Sequence, residues 1–250
     1  MKILALDTAT EACSAALVCD DEVIERYEVI GRGHAERLLP MVQEVLAEAG
    51  VALAAVDAIA FGRGPGSFTG LRIGAGVTQG LAFGADLPVV PVSDLAALAA
   101  RAASQRGERY VLACLDARMA QVYWAAFDCA DVNAPVALTA EAVSDPDDVR
   151  LPSKIGDIPI FRLGLPDAGS DSTRKGKKEC PLFFGAGHGL SAYPALHTLL
   201  GPRLTGYDAD LLPHAREIAL IGAQAFAQGG AVGAEQALPV YIRDDVAHKR

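Results

Sequence analysis

The densest chemical signal in this 250-residue sequence is a glycine-rich run, GRGPGSFTGLRIG, at residues 62–74. A glycine turn that opens a helix can present free backbone N–H groups to an anion. No Lys-Ser or Lys-Thr pair closes the run, so it is not a P-loop. It also lacks the G-x-G-x-x-G spacing and acidic ribose partner of a dinucleotide site. The same glycines have a second use. Gly70 and Gly74 stand four apart, as do Gly76, Gly80 and Gly84, which makes glycine faces on one helix where another backbone can come close.

Asp7 and Asp116 each end an apolar run that is followed by a tight turn and a second apolar run. Leu6-Asp7 and Ala16 recur at one offset as Leu115-Asp116 and Ala125, the pattern of a duplicated lobe with an aspartate on each side of a cleft. Such a cleft would suit a magnesium nucleotide. Asp7, Thr8 and Asp116 are then its candidate binding residues, and Gly185 and Gly187 would let an adenine ring approach the backbone. The aspartates would serve equally well as turn caps. His34, His188, His197, His214 and His248 are far apart, with no H-x-x-x-H or H-E-x-x-H pair, and Ser67 does not sit in G-x-S-x-G. These residues announce no reaction.

Three β-like runs open the chain, Lys2–Asp7, Ala12–Cys19 and residues 22–30, joined by hairpin-type turns. A helix follows over His34–Ala49, with Leu38, Met41, Val42 and Val45 in a broad apolar stripe and Pro40 expected in or near the first turn. A strand is expected at 56–61, a helix at 67–84, a strand at 88–92 and a helix at 94–103 capped by Ser93. The chain then restarts with strands at 110–116 and Gln121–Asp128, and closes with a strand at 182–184 and a helix at 213–228. This order is mixed α/β. Two units are expected, 1–105 and 106–250, the second broken by an irregular insertion at about 151–181 that holds the basic run 174–178.

Hydrophobic residues make up 51% of the chain and charged residues 21%, enough for a core and too apolar for global disorder. Net charge is −9, against a wholesale nucleic-acid coat or an anionic-membrane binder. The N-terminal residues leave no room for a signal peptide, and the longest run free of both charged residues and histidine, 218–234, reads as a buried helix and its turn. Five cysteines in no C-x-x-C pair suit a reducing compartment. A cytoplasmic location with no membrane contact is expected.

As a set these residues resemble the TsaB family. The resemblance is carried by ILALDTATEA at 3–12, HAERLLP at 34–40, the run at 62–74, DARM at 116–119 with Val122-Tyr123, and PVYIR at 239–243. It covers residues 1 to about 150 and about 182 to 247. It implies an actin-like ATPase (ASKHA) fold of two similar lobes with mixed sheets. It further implies a non-catalytic subunit of the machinery that makes N6-threonylcarbamoyladenosine beside the anticodon in tRNAs reading codons that start with A. There the subunit scaffolds and activates TsaD, the transferase that uses threonylcarbamoyl-AMP, with the ATPase TsaE.

By the same resemblance the chain has no cofactor of its own, with ATP or ADP and metal held in TsaD or at the joint interface. The H-x-x-x-H pair that holds the metal in TsaD is matched by Asp94 and Leu98, and leucine cannot ligate a cation. The helices at 34–49 and 67–84 are implied to pair with TsaD, or with a second copy of the chain when it is alone. Leu38, Met41, Val42, Val45, Gly70, Gly74, Val77 and Leu81 are the expected contacts, and tRNA is met through the complex. The competing readings are an ATP-dependent phosphotransferase on the same fold, a metallopeptidase, and a purely structural homodimer.

Overall fold

The computed structural model describes residues 1–20, 22–153 and 180–243. The basic run at 174–178, most of the expected insertion and the last seven residues lie outside the described residues. The elements in chain order are β1 (Lys2–Asp7), β2 (Ala12–Cys19), β3 (Glu22–Val29), α1 (His34–Ala49), β4 (Ala58–Gly62), α2 (Phe68–Ala85), β5 (Val89–Val92) and α3 (Asp94–Arg106). Then come β6 (Tyr110–Arg118), β7 (Gln121–Asp128), β8 (Val136–Ala137), β9 (Ala142–Ser144), β10 (Phe183–Ala186), α4 (Gly189–Ala192), α5 (Pro194–Leu200), β11 (Leu204–Asp208) and α6 (Ala215–Ala227).

Two mixed sheets repeat one topology. The first runs β3-β2-β1-β4-β5 and the second β11-β10-β6-β7-β8, so β6 takes the place of β1, and β7, β10 and β11 those of β2, β4 and β5. In each sheet a leading hairpin is antiparallel and the later strands are parallel. The duplicated arrangement read from the recurring aspartates is therefore the architecture of the molecule: Asp7 ends β1, and Asp116 stands two residues before the end of the equivalent strand β6.

Each sheet is covered on both faces, so its central strands are apolar throughout. Along β1, Leu4 and Leu6 pack towards Leu38, Met41, Val42 and Val45 of α1 and Ala75 and Ala82 of α2. The alternate residues Ile3 and Ala5 pack towards Ile218, Ala219 and Ala223 of α6. In the second sheet α3 covers Val111, Ala113, Leu115 and Phe127, while Leu190, Leu196 and Leu200 cover Leu112, Trp124 and Phe183 on the other face.

Three details correct the sequence reading. Pro40 sits in the second turn of α1 rather than the first, on the exposed side, where water can meet the Glu36 carbonyl left without an N–H partner. The expected unit 106–250 does not keep to itself, because α6 lies against the first sheet and next to α3. Val232 also bridges back to Val89 of β5. Local spacing identified α6 as a helix but carries no information on which sheet it covers.

Candidate functional site

The glycine run forms the turn between β4 and α2. Ser67 caps α2 by accepting from the Gly70 N–H, and Ser93 caps α3 by accepting from Ala96 N–H at 3.1 Å. The run is packed on three sides. The Ser67 N–H donates to the Ala9 carbonyl at 2.7 Å and the Val240 N–H to the Arg63 carbonyl at 2.7 Å. Arg63 reaches across to both carboxylate oxygens of Glu141 at 3.2 Å. Gly64 has φ +110°, a conformation suited to glycine.

Beneath the run lie two fully buried carboxyl groups. Asp94 accepts from the Gly64 N–H at 2.5 Å and Asp7 from the Ala9 N–H at 2.8 Å, and the two carboxyls hydrogen-bond to each other. Burial drives the Asp94 carboxyl well above the usual carboxylate range, and the neighbouring Asp7 pushes it further. Asp94 therefore carries the proton and Asp7 accepts it. The unfolded chain ionises this group near pH 4, so from there upward folding must retain a proton that the unfolded state has released. Stability falls as pH rises through that interval. Asp94→Asn supplies the same donor and acceptor with no proton to retain. It is expected to leave stability unchanged near pH 4 and to raise it at pH 8, because the wild type alone must retain a proton there, at about 1.4 kcal/mol for each pH unit between its unfolded and folded ionisations. Urea unfolding of both proteins at the two pH values checks this, and a gain of equal size at pH 4 would rule out the shared proton.

Between the lobes opens a cleft of about 1000 Å³, lined by the β1–β2 turn, the starts of α1 and α2, the end of β6 and the segment 240–243. The Asp116 N–H donates to His188 Nδ1 at 2.9 Å, which leaves the proton of the neutral ring on Nε2, 3.6 Å from Glu11 across the cleft. Burial holds His188 below the ordinary histidine value. Tyr193 donates its hydroxyl to Asp116 at 2.8 Å. A second polar cluster lies where the start of α6 meets β3. His214 stacks on Tyr27 with ring centres 3.6 Å apart and faces Glu25 at 3.2 Å, and burial raises Glu217 to about 7.

The candidate nucleotide residues do not converge. Asp116 lines the cleft. Asp7 is sealed under the glycine run, and Thr8 donates its hydroxyl to the Gly70 carbonyl at 2.8 Å. Leu190 and Tyr207 fill the position a Cβ would take at Gly185, and the Cys114 carbonyl and Leu98 that at Gly187. The position that the resemblance matches to the transferase's second metal-holding histidine lies away from the cleft. Leu98 is fully buried in the α3 core, and among the described residues no three His, Cys, Asp or Glu side chains are placed to hold an ion.

The expected contact residues also need correction. Leu38, Met41, Val42 and Val45 are at most 2% exposed, because this stripe covers the molecule's own first sheet. Gly70 and Gly74 face Thr8 rather than solvent, while Val77 and Leu81 are half-buried against the same core. The free face is the other one. A side chain added at Gly76, Gly80 or Gly84 would meet nothing within 4 Å, and Leu39 (43%) and Phe83 (63%) stand exposed on the same pair of helices. The i, i+4 spacing of these glycines was visible in the sequence; which face pointed outward was not.

Residues 26–248 match the family described as TsaD, tRNA N6-adenosine threonylcarbamoyltransferase. The Escherichia coli tRNA threonylcarbamoyladenosine biosynthesis protein TsaB is 40% identical over 252 aligned residues, covering 100% of this chain and 98% of that protein. The Haemophilus influenzae protein of the same name is 55% identical over 124 residues, covering 50% and 52%. A Pseudomonas aeruginosa crystal structure, described as an uncharacterized protein with similarity to peptidase YEAZ, superposes with a TM-score of 0.81 at 46% identity, covering 97% of this chain and 99% of that one.

Proposed function

Because this chain belongs to the TsaB proteins, within the TsaD-like domain family, we propose that it serves tRNA threonylcarbamoyladenosine synthesis as a non-catalytic subunit that docks on the TsaD-type transferase and activates it. The observation that carries the reading is the open glycine face of α2. Gly76, Gly80 and Gly84 beside Phe83 and Leu39 form a smooth apolar surface where a partner helix can approach closely. The free chain covers this face with a second copy of itself, and the transferase displaces that copy. ATP or ADP and the metal belong to the transferase or to the joint between the two proteins. A buried leucine at position 98, where the transferase family carries a metal ligand, agrees with this division. TsaE completes the assembly, tRNA is engaged through it, and the site of action is the cytoplasm. Among the described residues no helix is long and apolar enough to cross a membrane, and Cys13, Cys19, Cys114, Cys129 and Cys180 are unpaired.

The test is reconstitution. tRNA, threonine, bicarbonate, ATP, the synthase that makes threonylcarbamoyl-AMP, the transferase and TsaE are combined with and without this chain, and modified adenosine is read by mass spectrometry. Product is expected only with the chain present, while the chain alone turns over no ATP. Equal product without it would remove the role. Steady ATP turnover by the pure chain would shift the reading to a phosphotransferase working at Asp116.

A further inference from the structure

A belt of arginines and aromatic rings runs along the mouth of the cleft. The Arg72 guanidinium lies 3.8 Å from the centre of the Phe68 ring, and its Nε donates to the Tyr241 hydroxyl at 3.0 Å. Both rings remain about half exposed, at 54% and 44%. Two residues further on, Arg243 donates to the Ala117 carbonyl at 3.1 Å and to Gln121 Oε1 at 2.7 Å. Beside it stands the exposed Arg118, and Arg32 lines the same cleft. Among the described residues only Arg118 of these four has a carboxylate partner, Asp116 at 3.1 Å. Among the described residues that line it, these four arginines stand against three carboxylates, Asp116, Glu11 and Glu36, in a chain whose net charge is −9.

We propose that this rim holds unpaired nucleotides of an RNA, with phosphates on Arg72, Arg118 and Arg243 and a base stacked on Phe68 or Tyr241. The proposal rests on the reading that the chain serves a tRNA-modifying assembly, and names a surface on which tRNA touches this subunit. Guanidinium forks pair with phosphate oxygens, and exposed rings stack on bases that are not already stacked in a duplex. Arg72 and Arg243 are held in place by neutral groups, so their charge remains available to an anion.

The test titrates the full chain, alone and with the transferase, into a fluorescein-labelled RNA hairpin with an unpaired loop, followed by anisotropy at several salt concentrations. The double variant R72A/R243A is expected to bind about tenfold more weakly, with a salt slope reduced by roughly 1 for each phosphate no longer held. Phe68→Ala is expected to weaken binding about fivefold with the slope unchanged. Arg72→Lys should keep the slope, and a duplex without a loop should compete poorly. Melting curves show whether each variant is folded. Absence of wild-type binding, variants that bind as wild type, or a duplex that competes as well as the hairpin would overturn the proposal. So would variants that keep RNA affinity but no longer co-elute with the transferase, since the rim would then be a protein interface. The accessory role fails by a separate readout, product formed equally without the chain.

Discussion

Gly70→Ala is expected to destabilise the protein by about 2–3 kcal/mol, lowering its melting temperature by roughly 4–12 °C for a chain of this size. The reason lies in what a single methyl would meet. Gly70 is in the first turn of α2, pressed against the β1–β2 turn, and an added Cβ would run into the Thr8 carbonyl oxygen. That oxygen is backbone, and the turn is tied down twice, by the Thr8 hydroxyl on the Gly70 carbonyl at 2.8 Å and by the Ser67 N–H on the Ala9 carbonyl at 2.7 Å. Neither side can yield without breaking one of these bonds. Alanine in a helix is otherwise favoured over glycine by about 1 kcal/mol, so the clash has to outweigh that gain. Gly80→Ala, on the same helix with open space around it, keeps the gain without the clash and should be neutral or slightly stabilising. Chemical denaturation of the two variants side by side is the check. Equal midpoints would mean that the β1–β2 turn does not press on α2.

Gly80→Leu is expected to leave the fold intact and to abolish the stimulation of the transferase. A Cβ at position 80 meets nothing within 4 Å, and the helix propensity of leucine exceeds that of glycine, so the melting temperature should hold or rise. On the outer face, though, it stands between Gly76 and Gly84, where the proposed partner helix comes close. Interaxial distance in helix pairs follows the side chains at the contact, and a leucine at the crossing displaces the partner and opens the flanking contacts at Phe83 and Leu39. Co-elution with the transferase should be lost and modified adenosine should fall to the level without the chain. Gly80→Ala should retain part of both. Full product from Gly80→Leu would place the transferase on another surface.

The period of each segment was enough to recognise the order of three strands and a helix, its restart after α3, Ser93 as a cap, and the equivalence of Asp7 and Asp116. Hydrophobic spacing and turn chemistry act over a few residues and can be read there. The sequence also singled out the glycines of α2, since i, i+4 spacing is a property of the chain alone.

Orientation was decided elsewhere. Leu38, Met41, Val42 and Val45 formed a stripe wide enough to suggest a partner, and the whole stripe is buried against the first sheet. A stripe reports that something apolar must cover it, not whether the cover comes from the same chain. The burial of Asp7, its pairing with Asp94 and the filling of Gly185 and Gly187 by Leu190, Tyr207 and Leu98 likewise depend on contacts between distant segments. The rim of Arg72, Phe68, Tyr241 and Arg243 was the least legible, because its members are up to 175 positions apart in the numbering and meet only when the C-terminal segment crosses the start of α2. Local spacing determined which elements form. Long-range packing decided which of their faces remain free for another molecule.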